Sequence, residues 1–226
     1  MIKFHPRSEQ LVAFAEGTLA PVESLMVSAH CDMCSVCRRR VALETDLLAE
    51  SVDETDVTSM ADGSAFESML ADILTQPVAD TRDISCSPKK DAVIELDGRK
   101  FTLPHTLARY TQRMGNWSSL VGRLWQAPVD LGNQGVANFI YMGSGGSVPE
   151  HTHRGTEYTL VLDGEFSDGL HTYDTGDFIY LDGEHTHAPR SDASEGCLVF
   201  SIVDQPLHFT SGIARLLNPF SHLFFR

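Results

Sequence analysis

Long apolar runs are absent from this 226-residue sequence. No stretch approaches the ~18 consecutive apolar residues that a membrane-spanning helix requires. The N-terminal stretch from Met1 to Pro6 also lacks the apolar segment of a secretory signal peptide. The sequence therefore predicts neither a membrane span nor export, and we expect a cytoplasmic protein.

Basic residues are also scarce. Seventeen Lys and Arg face thirty-one Asp and Glu, which gives a formal net charge of −14. Binding to nucleic acid or to an anionic membrane needs clustered positive charge, so we expect neither as a direct partner. Two enzyme signatures are missing as well. The glycine-rich stretch 143–147 is not followed by the Gly-Lys-Ser/Thr of a phosphate-binding loop, and no Gly-x-Ser-x-Gly elbow occurs.

Cysteines are few, and their distribution is uneven. There are five, and three of them lie within seven residues, which excludes a disulfide framework and indicates metal or redox chemistry. His30, Cys34 and Cys37 form a His-x3-Cys-x2-Cys pattern that a helix would place on one face, as for zinc. A tetrahedral site needs a fourth ligand, for which His5 is the candidate. The alternative is a helix with buried thiols and no metal, and Cys31 looks like a spare thiol.

Three helices are predicted around this pattern. Residues 8–17 form a short helix that Ser8 can cap. A second helix begins near Pro21 and runs into Cys34. A third covers about 36–49. Its inward-facing side chains are predicted to be Val41, Leu47 and Leu48.

A fourth helix, starting near Ser64, is separated from the first three by the acidic, linker-like segment 51–63. It carries one apolar stripe, formed by Phe66, Met69, Leu70 and Ile73. The stripe either packs back on the first three helices or is a surface for a protein partner. Residues 1–75 contain five basic and thirteen acidic side chains. This charge would steer a basic protein partner toward them.

The second part of the chain has a different texture. The segment 76–91 lacks periodicity and is predicted to be a linker. Short apolar runs broken by turns follow, beginning with a hairpin around Asp97-Gly98. The apolar tail from Ile213 to Phe225 is expected to dock on a sheet or on a second copy, giving a homodimer. We therefore predict an α+β multidomain protein: a small all-α zinc-binding domain (1–75), the linker, and an all-β jelly-roll barrel (92–226).

The β part contains a second set of metal ligands. On a strand, His151 and His153 point to the same side, and Glu157 returns on the next strand. One more histidine is offered by the segment after Gly176. Three imidazoles and one carboxylate suit Zn²⁺, Fe²⁺, Mn²⁺ or Ni²⁺. The alternative is that these are scattered surface histidines.

Residues 92–205 resemble the cupin family. The first cupin motif is complete, with Gly145, His151, His153, Glu157 and Gly164 in place. The second motif is degraded, because Asp182 and Glu184 stand where the family has proline and glycine. Counting from Gly176, the family's metal-binding histidine falls on His187, with His185 as the close alternative.

Residues 1–75 resemble the zinc-binding anti-sigma domain through His5, His30, Cys34 and Cys37. Together, the two halves resemble the ChrR family of cytoplasmic anti-sigma factors. This resemblance implies a protein that sequesters an ECF sigma factor of the sigma-E type and releases it on stress such as singlet oxygen. It also implies zinc in the cupin, where the ligand set alone permits other divalent transition metals.

The rival prediction is a metal-dependent cupin enzyme, such as a dioxygenase. The appended helical zinc domain, which an enzyme does not need, favours the regulator, and we expect no catalytic residues. A sensor or storage module is a third alternative. Cys197 is interpreted as a core residue, or as a redox reporter if it lies near the cupin mouth.

Overall fold

The computed structural model describes residues 1–53, 63–76, 92–120, 122–132, 136–153, 155–183, 185–205, 207–210, 212, 215 and 218. Helices come first in the chain and strands follow. Most of the two predicted linkers and of the apolar tail from Ile213 to Phe225 lies outside this description. The homodimer and the boundaries of the two domains therefore stay predictions.

The first helix, α1 (Ser8–Ala15), already includes Ser8, the residue that was predicted to cap it. Arg7, not Ser8, occupies the N-cap position, because the side-chain oxygen of Gln10 accepts a hydrogen bond from the Arg7 N–H at 2.9 Å. Gly17 follows the helix with φ of 71° and allows the chain to turn toward the next helix.

The second and third helices, α2 (Pro21–Met33) and α3 (Ser35–Asp53), are interrupted at Cys34. Cys34 has φ −109° and ψ 104°, an extended conformation that ends α2. The prediction that α2 continues into Cys34 on one helical face is therefore wrong in detail. Because of this break, His30 lies on α2 and Cys37 lies on α3.

Helix α3 packs on α1 and α2. Val41 and Leu48 are partly buried, as predicted, but Leu47 is 52% exposed. The inward prediction for Leu47 is wrong, because Val41 and Leu48 are seven residues apart and share one helical face, whereas Leu47 is turned about 100° away from Leu48.

Helix α4 (Gly63–Thr75) presents its apolar stripe to solvent. The exposed fractions are 56% for Phe66, 55% for Met69, 43% for Leu70 and 56% for Ile73. The alternative in which the stripe packs back on the first three helices is thus not what the described residues show. An amphipathic helix with an uncovered stripe is unusual in a protein without a partner.

The β part opens with the predicted hairpin, which is confirmed. Strands β1 (Val93–Leu96) and β2 (Arg99–Thr102) pair antiparallel, and Asp97 and Gly98 have φ of 51° and 79°, as a two-residue turn of this hand requires. A short helix, α5 (His105–Ala108), and a 3₁₀ turn (Arg109–Arg113) follow.

The remaining strands build the barrel. They are β3 (Ser118–Ser119), β4 (Leu124–Val129), β5 (Val136–Met142), β6 (Gly146–Ser147), β7 (His151–Thr152), β8 (Glu157–Ser167), β9 (Thr172–Asp174), β10 (Phe178–Leu181), β11 (Thr186–His187), β12 (Arg190–Ser191), β13 (Cys197–Val203) and β14 (His208–Phe209). Neighbours pair in the order β3-β4-β5-β13-β8-β12-β6, with β9 and β10 also on β8, and β7 lies between β11 and β14. The central strand β13 is buried along its whole length, in keeping with its almost continuous apolar run, and its neighbour β8 is buried over residues 158–162 and at Phe166.

The helical and β parts share one hydrophobic cluster. Buried side chains of α2, including Met26, of the β1–β2 hairpin, including Phe101, and of the barrel, including Leu160, belong to it. Residues before α1 also pair with the barrel, since the Phe178 N–H donates to the Phe4 carbonyl at 3.0 Å. The N-terminal helices are therefore held against the barrel along a defined surface.

Candidate metal centres

The N-terminal candidate site brings together the four side chains that the sequence singles out. His5 Nδ1 lies 3.4 Å from His30 Nε2, 3.5 Å from Cys34 Sγ and 3.3 Å from Cys37 Sγ. His30 Nε2 also lies 3.3 Å from Cys37 Sγ. His5 lies in the segment before α1. Cys34 lies at the break between α2 and α3 and completes the set of four side chains.

These separations can be compared with the geometry that zinc imposes. Nitrogen at ~2.05 Å and sulfur at ~2.3 Å around one tetrahedral ion lie about 3.3–3.6 Å from each other. The four measured distances fall in that interval. The donor set of two thiols and two imidazoles is also one that structural zinc sites use. The residues present therefore fit a closed, four-coordinate zinc site.

His30 is oriented for this task by the barrel. Its side chain is fully buried, and its Nδ1–H donates to the Gly176 carbonyl at 2.9 Å. That bond fixes the tautomer and leaves the Nε2 lone pair facing the cluster, as in metal-binding histidines generally. Burial lowers the pKa of His30 to about 4, so the ring is neutral and able to bind a metal at pH 7.

The thiols of this cluster ionise less readily when no cation is present. Burial, followed by the neighbouring Cys34, raises the pKa of Cys37 to about 12. Buried thiols of this kind do not ionise unaided, and a divalent metal supplies the positive charge that they need. Cys31 lies outside the cluster. Burial raises the pKa of its thiol to about 11, and its place outside the cluster fits the prediction of a spare thiol.

The second candidate site lies in the barrel and contains His151, His153, Glu157 and His187. One ligand-type atom from each lies within 4.8 Å of the others. His153 Nε2 is 3.0 Å from His187 Nε2 and 2.9 Å from Glu157 Oε2, and the latter oxygen is 3.6 Å from His187 Nε2. Ligands ~2.1 Å from one ion lie about 3.0 Å apart at right angles and about 3.4 Å apart in a tetrahedron. The set thus fits one divalent metal.

The choice between the two candidate histidines favours His187. It is 8% exposed and pairs with His151 between β11 and β7. His185 instead has a half-exposed side chain whose Nδ1 lies 2.8 Å from Asp182 Oδ1. On the other side of the site, the His151 Nδ1–H donates to the Pro149 carbonyl at 2.7 Å, which leaves Nε2 for a metal.

Two hydroxyl groups hold the carboxylate, and the sequence analysis missed both. Thr159 and Ser201 each donate to Glu157 Oε1 at 2.9 Å, which leaves Oε2 for the metal. The only sequence signal for them is a polar residue inside an otherwise apolar strand. Burial alone would raise the pKa of Glu157, but the hydrogen bond and charge of His153 and the other two imidazoles hold it well below its usual range.

A small cavity of about 50 Å³ lies against this site. His151, Glu157 and His187 are among the residues that line it. Cys197 is fully buried, and burial raises the pKa of its thiol far above its usual value. This environment favours the core role predicted for Cys197 over a redox reporter.

Among the residues that the structure describes, no helix combines the length and the apolar character needed to cross a bilayer.

The predicted partner stripe on α4 is the third feature of interest. Its four side chains lie together on one face, and all are exposed.

Comparisons with known proteins agree with this arrangement. The family described as the ChrR cupin-like domain matches residues 116–205. The anti-sigma-E factor ChrR of Cereibacter sphaeroides is 32% identical over 222 residues, which cover 97% of this chain and 98% of that protein. A crystal structure of Rhodobacter sphaeroides SigE in complex with the anti-sigma ChrR matches with a TM-score of 0.67 and 29% identity, over 90% of this chain and all of that one. A relative of this identity over nearly the whole of both chains shows that the chain belongs to the ChrR family of anti-sigma factors.

Proposed function

We propose that this protein sequesters an ECF sigma factor of the sigma-E type through its N-terminal helices and releases it when a signal reaches the cupin. The observation that carries the proposal is the uncovered apolar stripe of α4. Support comes from the relative named anti-sigma-E factor and from the solved complex of ChrR with SigE.

The stripe has the form of an anchor for a partner. Four neighbouring apolar side chains, each at least 43% exposed, form a row that a hydrophobic groove could bury. Leu74, at 75% exposure, widens the row at one edge. Residues 1–75 carry thirteen acidic and five basic side chains, so this part of the chain has a net negative charge. Such charge raises the association rate with a basic partner surface.

Sequestration needs no chemistry. A sigma factor is silenced when the surfaces it uses on RNA polymerase are covered, so the protein acts without a catalytic residue and without touching DNA. Membership of an anti-sigma family, rather than the cupin fold, is the reason to prefer a regulator to a cupin enzyme. The site of action is the cytoplasm, where the sigma factor meets the polymerase.

The two metal centres have different roles in this proposal. The centre at His5, His30, Cys34 and Cys37 holds a structural zinc that stabilises the helices. The centre in the cupin holds zinc or another divalent transition metal and faces the cavity, so that a signal such as singlet oxygen acts there. A signal can shift the equilibrium only through a difference between the bound and released states.

A binding experiment tests the sequestration. The full chain would be mixed with candidate sigma-E-type factors, and affinity measured for Phe66→Ser/Met69→Ser/Leu70→Ser. We expect a loss of about 100-fold or more, since buried apolar anchors dominate such interfaces. The matched control exchanges two residues on the opposite face of α4, Ser68→Ala/Ala71→Ser, and should bind normally. Unchanged affinity in the triple variant would contradict the proposed role of the stripe. Turnover of a small molecule by the purified protein, without sigma binding, would favour the cupin enzyme.

A further inference from the structure

A cleft of about 440 Å³ lies where the helical part of the chain meets the β part. We call it the junction cleft. Residues of α1 and α2 form one wall, and residues of α5 and of the 3₁₀ turn after it form the other. Its volume falls within the range of small-molecule sites, ~300–1,000 Å³, which often lie between domains. No candidate metal ligand lines it, so neither metal centre accounts for it.

The apolar part of the junction cleft contains two aromatic rings. Phe14 from α1 and Tyr110 from the 3₁₀ turn both line it, together with Pro21 and the buried Leu25 of α2. The two rings are partly buried, so each keeps some of its surface free for contact. An occupant therefore needs an apolar body, and an aromatic one can also make ring contacts with Phe14 and Tyr110.

Positive charge is concentrated at the same place. Arg109 lines the junction cleft and also an adjoining pocket of about 200 Å³, which Tyr110 and Arg113 complete. The Arg109 Cζ lies 5.0 Å from the centroid of the Tyr110 ring, a contact that positions the guanidinium group. Within the described part of the chain, neither the Arg109 nor the Arg113 guanidinium group has an ion-pair or hydrogen-bond partner.

The sequence around these two arginines is unusual for this chain. Residues 98–129 contain five basic side chains and no acidic one, although the whole chain has a net charge of −14. Arg99 in the same stretch forms an ion pair with Asp163, which Arg109 and Arg113 lack. Asp32 does contact the cleft wall, but its Oδ2 accepts the Thr106 N–H at 2.6 Å and is thus engaged by the backbone of α5. The charge of the cleft therefore suits an anion.

A pair of hydroxyl groups joins the two walls. Ser28 Oγ on α2 and Thr106 Oγ1 on α5 lie 2.9 Å apart, and both residues line the junction cleft. Only one of the two O–H groups can donate to the other oxygen. The second O–H has no acceptor among the described residues, so it is available to an oxygen of an occupant.

We propose that the junction cleft binds a small aromatic anion, with its ring against Phe14 and Tyr110 and its charged head at Arg109 and Arg113. A guanidinium group matches the geometry of carboxylates and phosphates, and two of them favour the double charge of a phosphate monoester. The inference goes beyond the proposed function, because such binding needs neither metal centre and no sigma factor. An occupant in contact with both walls would also stabilise the folded chain.

Calorimetric titration of the full chain with 1-naphthyl phosphate tests the proposal. We expect one molecule per chain, with an affinity at least about tenfold higher than for 1-naphthol, which lacks the charged head, or for inorganic phosphate, which lacks the ring. 1-Naphthoate, with a single charge, should lie between. Equal affinity for 1-naphthyl phosphate and 1-naphthol, or for 1-naphthyl phosphate and inorganic phosphate, would overturn the proposal.

Variants locate the binding. Arg109→Gln/Arg113→Gln should lower the affinity for 1-naphthyl phosphate at least about tenfold, because it removes the charge-assisted hydrogen bonds to the head. The matched control, Lys100→Gln/Arg123→Gln, removes two charges of the same stretch outside the cleft and should bind normally. All four side chains belong to exposed residues, so the fold should tolerate both pairs of changes. An equal loss in the two pairs would mean general attraction to positive charge and would overturn the proposal.

A second control separates the cleft from the cupin metal, which could also attract a phosphate. His151→Ala/Glu157→Ala removes two candidate ligands of that metal and should bind 1-naphthyl phosphate with unchanged affinity. Loss of binding in this variant, with retention in Arg109→Gln/Arg113→Gln, would place the molecule at the cupin metal and refute the junction cleft as its site.

Discussion

The His30 side chain donates a hydrogen bond from Nδ1 to the Gly176 carbonyl, 2.9 Å away and 146 positions further along the chain. His30 belongs to the candidate zinc site, and Gly176 opens the second cupin motif. The segment from Gly176 continues through β10, where Leu181 pairs with Glu157, and ends at His187. A single stretch of chain therefore contacts both candidate metal centres.

Asp177 should be essential for this connection. Its fully buried carboxylate accepts hydrogen bonds from the Lys3 and Phe4 N–H groups through Oδ1 and from the Asp174 N–H through Oδ2. Asp177→Ala leaves these donors unpaired, and we expect a loss of about 3 kcal/mol in unfolding free energy. Because His5 follows Phe4 directly, N-terminal zinc affinity should fall too.

Chemical denaturation and zinc competition measure these two effects. Asp174→Ala is the matched control, since that carboxylate makes an exposed ion pair with Lys3 at 3.0 Å and should contribute no more than about 1 kcal/mol. Equal stability of the Asp177→Ala and Asp174→Ala proteins would show that the N-terminal segment is not held in this way.

Loss of the zinc proposed for the N-terminal centre should unfold the helices. For Cys34→Ala or Cys37→Ala we expect loss of one zinc per chain, because structural zinc contributes on the order of 10 kcal/mol in small modules. Hydrogen exchange of the full chain should then show loss of protection in α1 to α3, while Cys31→Ala keeps both metal and protection. A Cys37→Ala protein that retained full zinc and protection would refute the ligand assignment.

The hydroxyl groups behind Glu157 should tune the cupin metal. In Ser201→Ala/Thr159→Val, Glu157 Oε1 loses both donors, so the carboxylate is freer to rotate. We expect metal affinity at the cupin to fall about 10- to 100-fold, as for other supporting residues of metal sites. Ser167→Ala is the control, because its hydroxyl donates to the His171 carbonyl and not to Glu157. Competition with a coloured chelator gives the affinities. Identical values for the two variants would mean that these bonds do not support the metal.

Loss of the cupin metal should uncouple the response from binding. We expect His151→Ala/Glu157→Ala to bind the sigma factor normally and to block its release, because the helical partner surface is intact while the signal has no target. A reporter driven by the sigma-dependent promoter, with and without singlet oxygen, measures this. His185→Ala should respond like the wild type. A full response in the double variant would exclude the cupin metal as the sensor.

Local spacing made much of this protein predictable. The hairpin at Asp97-Gly98 and the cupin strands follow from turn residues and alternation, and family membership followed from two short motifs. The break at Cys34 was not predictable, because helical spacing and a kinked chain can bring the same side chains together. The Thr159 and Ser201 hydroxyls were missed because a polar residue in an apolar strand has no motif of its own.

The connection through Gly176 was also beyond local reasoning, since it joins residues far apart in the chain. Gly176 has φ of 94°, and a Cβ there would lie 2.5 Å from Ile2 Cδ1. The cupin motif explains the glycine as a turn, and the structure adds that the end of the Ile2 side chain packs against it. Only the packed structure shows this contact.

That close approach limits how the chain can be recombined with its relatives. A chimera that exchanged the helical half for that of another family member, with the junction in the segment 76–91, would pair a foreign residue 2 with Gly176. It would also mismatch the hydrophobic cluster that both halves build. A working exchange would have to transfer residues 1–5 together with the barrel edge at 174–178. The two halves thus carry different sets of metal ligands, but they share one packed interface and would have to be exchanged with it intact.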